Sequence, residues 1–160
     1  MESKQEENKR MKEEQRELVR KYPYSLRLFF RKRGGMSAAI KDKEPFHGCE
    51  YWGFECGGGW NELLDECLAV HEKELFDWLQ RLTPEDRKKC DQYYGGPPAV
   101  RQIKEKYGTL RFYTDFSTPA VGQAVEIAEA KSAITCESCG DAGKLRGTGW
   151  LQTLCDDCAK

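Results

Sequence analysis

Four cysteines near the end of the sequence have the spacing of a metal site. Cys136 and Cys139 form one C-x2-C pair, and Cys155 and Cys158 form a second pair after fifteen intervening residues. Each pair can turn two sulfur atoms toward one point, and two pairs complete a tetrahedron around Zn2+. Four protein ligands leave no position for water or substrate. The spacing therefore predicts one structural zinc ion.

Two other uses of these cysteines stay open, namely iron in a rubredoxin-like site and a pair of disulfides. Disulfides require an oxidising compartment, whereas the first residues, Met1 to Glu7, are charged and lack the apolar core of a signal peptide. No apolar run in the sequence is long enough to span a membrane. We therefore expect an intracellular, cytoplasmic protein with reduced thiols.

Other metal-binding or nucleophilic side chains form a weaker pattern. His47, Cys49 and Cys56 could bind a second metal with help from Cys67 or His71, although their spacing matches no standard site. Cys56 next to a histidine base could also act as a nucleophile. His71 lies on the apolar stripe of a predicted helix, so we expect a packed histidine there rather than a ligand.

Basic residues are concentrated in two places, although the formal net charge of the whole chain is only −1. One is the tract from Arg20 to Lys43, and the other is a predicted hairpin that also carries tyrosines. Basic groups beside aromatic rings can hold phosphates and stack on bases, but the same pattern is typical of a solvated polar face. The candidate nucleic-acid residues are Arg27, Arg31, Lys32, Arg33, Lys104, Lys106 and Arg111.

The elements that position these groups follow from hydrophobic periodicity. Between Glu2 and Lys21 only Met11, Leu18 and Val19 are apolar, which predicts a charged, exposed helix, with a partner-binding arm as the alternative. The triple glycine at 57–59 is predicted to be a flexible turn, and anion binding by its amides is the alternative. The remaining predicted elements are a helix from an Asn61 N-cap to about Leu82, a helix from Thr83-Pro84 to about Tyr94, strands at 100–106 and 109–115, and a helix that begins at Thr118-Pro119 and leads to Cys136.

Together these elements predict an α+β protein. Residues 1–22 would form the charged helical arm, residues 23–134 a small domain of helices and a β-hairpin, and residues 135–160 a zinc ribbon. So small a ribbon has too little core to fold alone, so the metal would supply much of its folding free energy.

Three strings of the sequence resemble a family of small uncharacterised phage and prophage proteins with a zinc-ribbon-like C-terminal unit. They are GGGWNELL at 57–64, QIKEKYGTLRFY at 102–113, and CxxCG…GWLxTLCD at 136–156. The resemblance covers about residues 53–160. It implies that Cys158 takes a ligand position that is often histidine in the family. A phage origin also implies a host or defence protein complex as the target.

Three functions are compatible with these features. The leading one is a noncatalytic, zinc-stabilised binding protein that contacts a protein complex, and the second is a nucleic-acid-binding protein. The third is a metal-dependent nuclease. The sequence argues against it, because it contains only two histidines and no recognisable catalytic motif. We therefore expect a protein that is not an enzyme and has no membrane partner. The sequence does not specify its oligomeric state.

Overall fold

The computed structural model describes residues 4–30, 54–94 and 96–160, which contain α-helices, short strands and two 3-10 turns. The helices are α1 (Lys4–Lys21), α2 (Asn61–Arg81), α3 (Pro84–Tyr94) and α4 (Pro119–Ser132). The strands are β1 (Phe54–Glu55), β2 (Val100–Lys106), β3 (Thr109–Thr114), β4 (Lys144–Arg146) and β5 (Gln152–Leu154). The 3-10 turns cover Arg27–Phe30 and Gly58–Trp60. The predicted α+β class is confirmed.

Helix α2 is the central element of the fold. Its fully buried Leu64, Leu68 and Leu75 recur at intervals of four and seven residues, so they share one face. Helix α4 packs along α2, and the sheet adds Ile103 and Leu110 to the core. The apolar stripe predicted for α2 is confirmed.

Strands β1, β2 and β3 form one sheet in that order. β1 pairs parallel with β2, and β2 pairs antiparallel with β3 across the turn at Tyr107 and Gly108. The outer edge of β3 is covered by α4, because Ser132 Oγ accepts from Leu110 N at 2.8 Å and a Glu129 carboxylate oxygen accepts from Phe112 N at 3.1 Å. This edge is therefore closed to further strands.

Two of the three predicted helix starts are confirmed. Thr83 Oγ1 accepts from Asp86 N at 3.1 Å before α3, and Thr118 Oγ1 accepts from Val121 N at 3.2 Å at the start of α4. The predicted Asn61 cap is wrong. Asn61 is already helical, and its side-chain amide instead donates to Met11 O at 3.1 Å, which ties α2 to α1.

Helix α1 has a buried face, so the expectation of an exposed helix is wrong on that side. Met11, Gln15, Leu18 and Tyr22 are all buried and follow one another at helical spacing. The sequence pattern did not predict this buried face, because Gln15 is polar and Tyr22 comes directly after the end of the helix. The other side carries exposed ion pairs. The domain boundaries at 22/23 and 134/135 stay a prediction. No helix in the described part of the chain is long and apolar enough to cross a membrane.

His71 links three segments inside the core. Its Nδ1 lies 2.8 Å from Ser25 Oγ and its Nε2 lies 2.8 Å from Thr114 Oγ1, with no exposed surface on the residue. Phe112 and Phe116 meet the ring edge-on. With both nitrogens occupied, the expectation of a packed histidine is confirmed. Burial lowers the pKa of His71 from 6.5 to about 4.

This pKa predicts an acid-sensitive contribution to stability. Unfolding raises the pKa of His71 from about 4 to 6.5, so the unfolded chain binds a proton more readily between these values. Its contribution should be complete above pH 6.5 and should decline by about 3 kcal/mol as the pH falls toward 4. We expect His71→Gln to lack this decline in urea unfolding followed at several pH values.

The comparison uses the difference in unfolding free energy between wild type and variant at each pH. Acid also weakens any thiolate–metal bond, but it does so in both proteins, so the difference isolates His71. The free energy of unfolding of the wild type should exceed that of the variant most near neutral pH, and this difference should narrow below pH 6.5. A gap that stays constant from neutral pH to about pH 4.5 would contradict the low pKa.

Candidate metal centre

The four cysteines of the two C-x2-C pairs converge in the structure. One sulfur atom from each lies within 4.8 Å of all the others, and Cys139 Sγ and Cys155 Sγ are 3.6 Å apart. A tetrahedron with metal–sulfur distances of about 2.3 Å has edges of about 3.8 Å. The spacing of the sulfur atoms therefore fits a metal ion, and the cluster could hold one.

Tight backbone turns aim these sulfur atoms. In the first pair, Gly140 N donates to Cys136 O at 2.9 Å, and Gly140 has a φ of 88°, which glycine adopts without strain. In the second pair, Cys158 N donates to Cys155 Sγ at 3.3 Å. A hydrogen bond of 2.9 Å from Glu137 N to Thr153 O joins the first turn to β5.

The surroundings of the thiols favour a bound cation. The amide of Cys158 lowers the pKa of Cys155 to about 7, whereas burial raises the pKa of Cys139 and raises that of Cys158 to about 11. Four thiolates at these distances would repel one another, so they cannot all ionise without a compensating charge. A metal ion supplies that charge, and its binding would release protons.

A two-stranded hairpin separates the two cysteine turns and packs against the main sheet. β4 and β5 pair antiparallel, with Leu145 opposite Thr153. Thr153 Oγ1 donates to Gly108 O at 2.6 Å in the β2–β3 turn, and Leu145 also lies against Gly108. A two-stranded hairpin therefore lies between the two cysteine pairs and against the β2–β3 turn.

The first cysteine turn also docks onto the start of α2. Gly59 N donates to Glu137 O at 2.8 Å, and Gly57 N donates to the Glu137 carboxylate at 2.9 Å. The indole of Trp60, which is fully buried, donates to Thr135 O at 2.8 Å. Sequence reasoning missed Glu137 and Trp60 as positioning residues, although a Gly-Gly-Gly-Trp string before a helix is an unusual signal.

The triple glycine leaves no room for side chains. A Cβ atom at Gly57 would collide with Glu137 O, one at Gly58 with Met11, and one at Gly59 with Cys136 O. The expectation of a flexible turn is therefore wrong, because this segment is a packed 3-10 turn between α1 and the first cysteine turn. Two of its amides bind Glu137, which occupies the place considered for an external anion.

The remaining metal or nucleophile candidates do not gather into a site. His47 and Cys49 lie outside the described residues. Among the described residues, only the four-cysteine group brings three or more potential ligands together, so Cys56 and Cys67 belong to no such group. Burial raises the pKa of Cys67 to about 12 and that of Cys56 still further, which suppresses the thiolate that a nucleophile needs.

The nucleic-acid candidates fall into three sets. Arg31, Lys32 and Arg33 lie outside the described residues. The guanidinium of Arg27 donates to Pro97 O at 2.8 Å and holds the segment before β2. The last set is Lys104, Lys106 and Arg111, which share the solvent-facing side of the sheet.

Comparisons with known proteins assign no family to this chain. No protein-family model, no curated protein and no solved structure matches it. Function must therefore be inferred from the geometry of the chain itself.

The close contact at Gly59 predicts that a substitution there destabilises the fold. Gly59→Ala would force the alanine methyl group against Cys136 O, so the 3-10 turn and the cysteine turn would have to separate. We expect the free energy of unfolding of the metal-loaded protein to fall by about 1–3 kcal/mol. Urea denaturation followed by tryptophan fluorescence measures this change.

Gly149 provides the matched control. A Cβ atom at Gly149 would meet nothing within 4 Å, so Gly149→Ala makes the same chemical change without a collision. We expect its unfolding free energy to stay within about 0.5 kcal/mol of the wild-type value. Equal effects of the two substitutions would show that the Gly59 contact does not limit stability.

Proposed function

We propose that this chain is a noncatalytic binding protein whose C-terminal unit is held together by one structural zinc ion. The observation that supports this most directly is the convergence of the four sulfur atoms of Cys136, Cys139, Cys155 and Cys158 within 4.8 Å of one another. Soft thiolates in a tetrahedral arrangement suit Zn2+. Reduced thiols also fit a cytoplasmic location, which is part of the proposal.

A role other than catalysis follows from how these groups are used. Four protein ligands fill the coordination sphere of zinc, so neither water nor substrate can reach the ion. His71, the one histidine among the described residues, is fully buried and has both nitrogens engaged. The described part of the chain thus offers no support for the nuclease alternative.

The proposed partner is a protein. Three large apolar side chains at or near the metal centre are mostly exposed: Ile134 at 67%, Leu145 at 55% and Trp150 at 75%. Exposed aromatic and aliphatic side chains on a rigid unit are typical anchors of protein interfaces. In line with the resemblance to phage proteins, we propose that this unit contacts a host or defence protein complex.

Metal analysis of purified variants tests the zinc assignment. We expect one zinc ion per wild-type chain, and loss of that ion in Cys139→Ser and in Cys155→Ser, because a hydroxyl is a poor zinc ligand. The loss should also loosen residues 135–160, since metal binding contributes on the order of 10 kcal/mol to the folding of small zinc units. Native mass spectrometry measures the stoichiometry.

Cys90→Ser is the control for this test. Cys90 lies on α3, away from the cluster, so its removal should leave the metal content unchanged. Co2+ substitution should give the ligand-field spectrum of a tetrahedral tetrathiolate site. Zinc loss in Cys90→Ser but not in Cys139→Ser, or a cobalt spectrum with an oxygen ligand, would overturn the ligand assignment.

Surface variants test the protein partner. Trp150→Ser should leave stability within about 0.5 kcal/mol of wild type, because the indole is exposed, but should weaken partner binding. A partner captured by the wild-type chain is purified, and its affinity for both forms is compared by calorimetry. We expect at least a fivefold loss, which corresponds to about 1 kcal/mol. Equal affinities of both forms would exclude this surface.

A further inference from the structure

The outer face of the β1–β2–β3 sheet carries an ordered set of polar side chains. Ile103 and Phe112 are paired in register and buried, so their neighbours along each strand point to the opposite, outer face of the sheet. Lys104 therefore lies opposite Arg111, and Gln102 lies opposite Tyr113. The outer face includes Glu55, Gln102, Lys104, Lys106, Thr109, Arg111 and Tyr113.

Two lysine–tyrosine pairs lie along this surface. Lys104 Nζ is 5.5 Å from the centre of the Tyr113 ring, and Lys106 Nζ is 5.4 Å from the centre of the Tyr107 ring. The two tyrosines are 42% and 69% exposed. The two lysines thus lie between two partly exposed tyrosine rings, from the middle of the sheet to the tip of its hairpin.

Tyr107 has a backbone conformation that tyrosine disfavours. Its φ is 55°, and the φ of Gly108 is 78°, which together are the geometry of a tight hairpin turn. Asparagine or glycine is the usual residue at the first of these positions. The Tyr107 ring is mostly exposed, so core packing does not compensate for the backbone strain. The ring is therefore better explained by contact with a ligand than by folding.

We propose that this face binds a single-stranded nucleic acid. The lysines and Arg111 would meet phosphates, and Tyr107 and Tyr113 would stack on unpaired bases. Duplex bases are stacked inside the helix and cannot reach these rings, which favours a single strand. This face uses other side chains than Ile134, Leu145 and Trp150, which are proposed above to contact a protein, although Leu145 lies next to it at Gly108.

Nearby carboxylates limit the expected affinity. Gln102 Nε2 donates to the Glu55 carboxylate beside Lys104, and Arg111 lies 3.7 Å from the Glu129 carboxylate. These acids offset part of the local positive charge, and the whole chain has a net charge of −1. We therefore expect micromolar binding that depends on stacking as well as on charge.

Fluorescence anisotropy with the whole 160-residue chain, purified in the presence of zinc, tests the proposal. The probes are labelled single-stranded DNA and RNA of about 20 nucleotides and the matching DNA duplex, at about 50 and 200 mM salt. We expect micromolar binding of at least one single strand, at least fivefold weaker binding of the duplex, and weaker binding at higher salt. No binding at low salt, or equal binding of duplex and single strands, would overturn the proposal.

Tyr107→Asn separates stacking from folding. Asparagine suits the backbone conformation at this position, so the variant should be at least as stable as wild type. Removal of the ring should nevertheless weaken single-strand binding by about tenfold. Unchanged affinity in this variant would reduce the surface to a general polyanion site and contradict the proposed stacking.

The charge contribution is tested with paired lysine variants. Lys104→Gln combined with Lys106→Gln should weaken binding and reduce the salt slope by about 1.4. Lys12→Gln combined with Lys88→Gln removes the same charge from exposed positions on α1 and α3, and it should have little effect. An equal loss of single-strand affinity in both double variants would show that binding does not occur on this face.

The same samples distinguish failure of this proposal from failure of the proposed function. Their zinc content is measured before the titrations. One zinc ion per chain without single-strand binding would reject the nucleic-acid face alone. A chain that binds single strands through this face but holds no zinc would reject the structural zinc alone.

Discussion

The fold depends on one close approach of backbone segments, between the triple glycine at 57–59 and its two neighbours. On one side the chain touches the first cysteine turn, and on the other it touches Met11 of α1. No residue with a side chain fits either contact. The four-cysteine cluster, the first helix and the start of the central helix therefore share a single junction, and a displacement of any one of them disturbs the other two.

Glu137 makes this junction specific as well as tight. It lies between two of the cysteines, is buried, and accepts hydrogen bonds from Gly57 through its side chain and from Gly59 through its main chain. Burial raises the pKa of its carboxyl group, whereas the Gly57 amide lowers it. A buried carboxylate is costly unless it is hydrogen-bonded. The turn therefore docks in an orientation that brings the Gly57 amide to this carboxylate.

Local sequence patterns predicted the elements that are determined by residues close together in the sequence. The leucine stripe of α2, the Thr-Pro starts of α3 and α4, the alternation in β2 and β3 and the two cysteine pairs all belong to this group. The buried side of α1 was not predictable, because the burial of the polar Gln15 depends on residues that are distant in the sequence and cover it. The pairing of β1 with β2 joins Phe54 to Ile103 across a long stretch of chain, and a two-residue strand has no period to detect. The docking role of the glycines depends likewise on contacts distant in sequence.

The construction of the sheet indicates how a ligand can be recognised there. Side chains of α4 accept from two outward amides of β3, and β1 covers two of the described residues, so neither edge of the described strands offers a long row of free backbone groups. Addition of a strand from a partner is therefore disfavoured among the described strands. Both proposed binding surfaces therefore rely on side chains, one on the outer face of the sheet and the other on and near the exposed β4–β5 hairpin. These two surfaces meet at Gly108, where Thr153 and Leu145 pack against the turn. A metal ion that orders the hairpin would thereby also hold the turn that presents Tyr107.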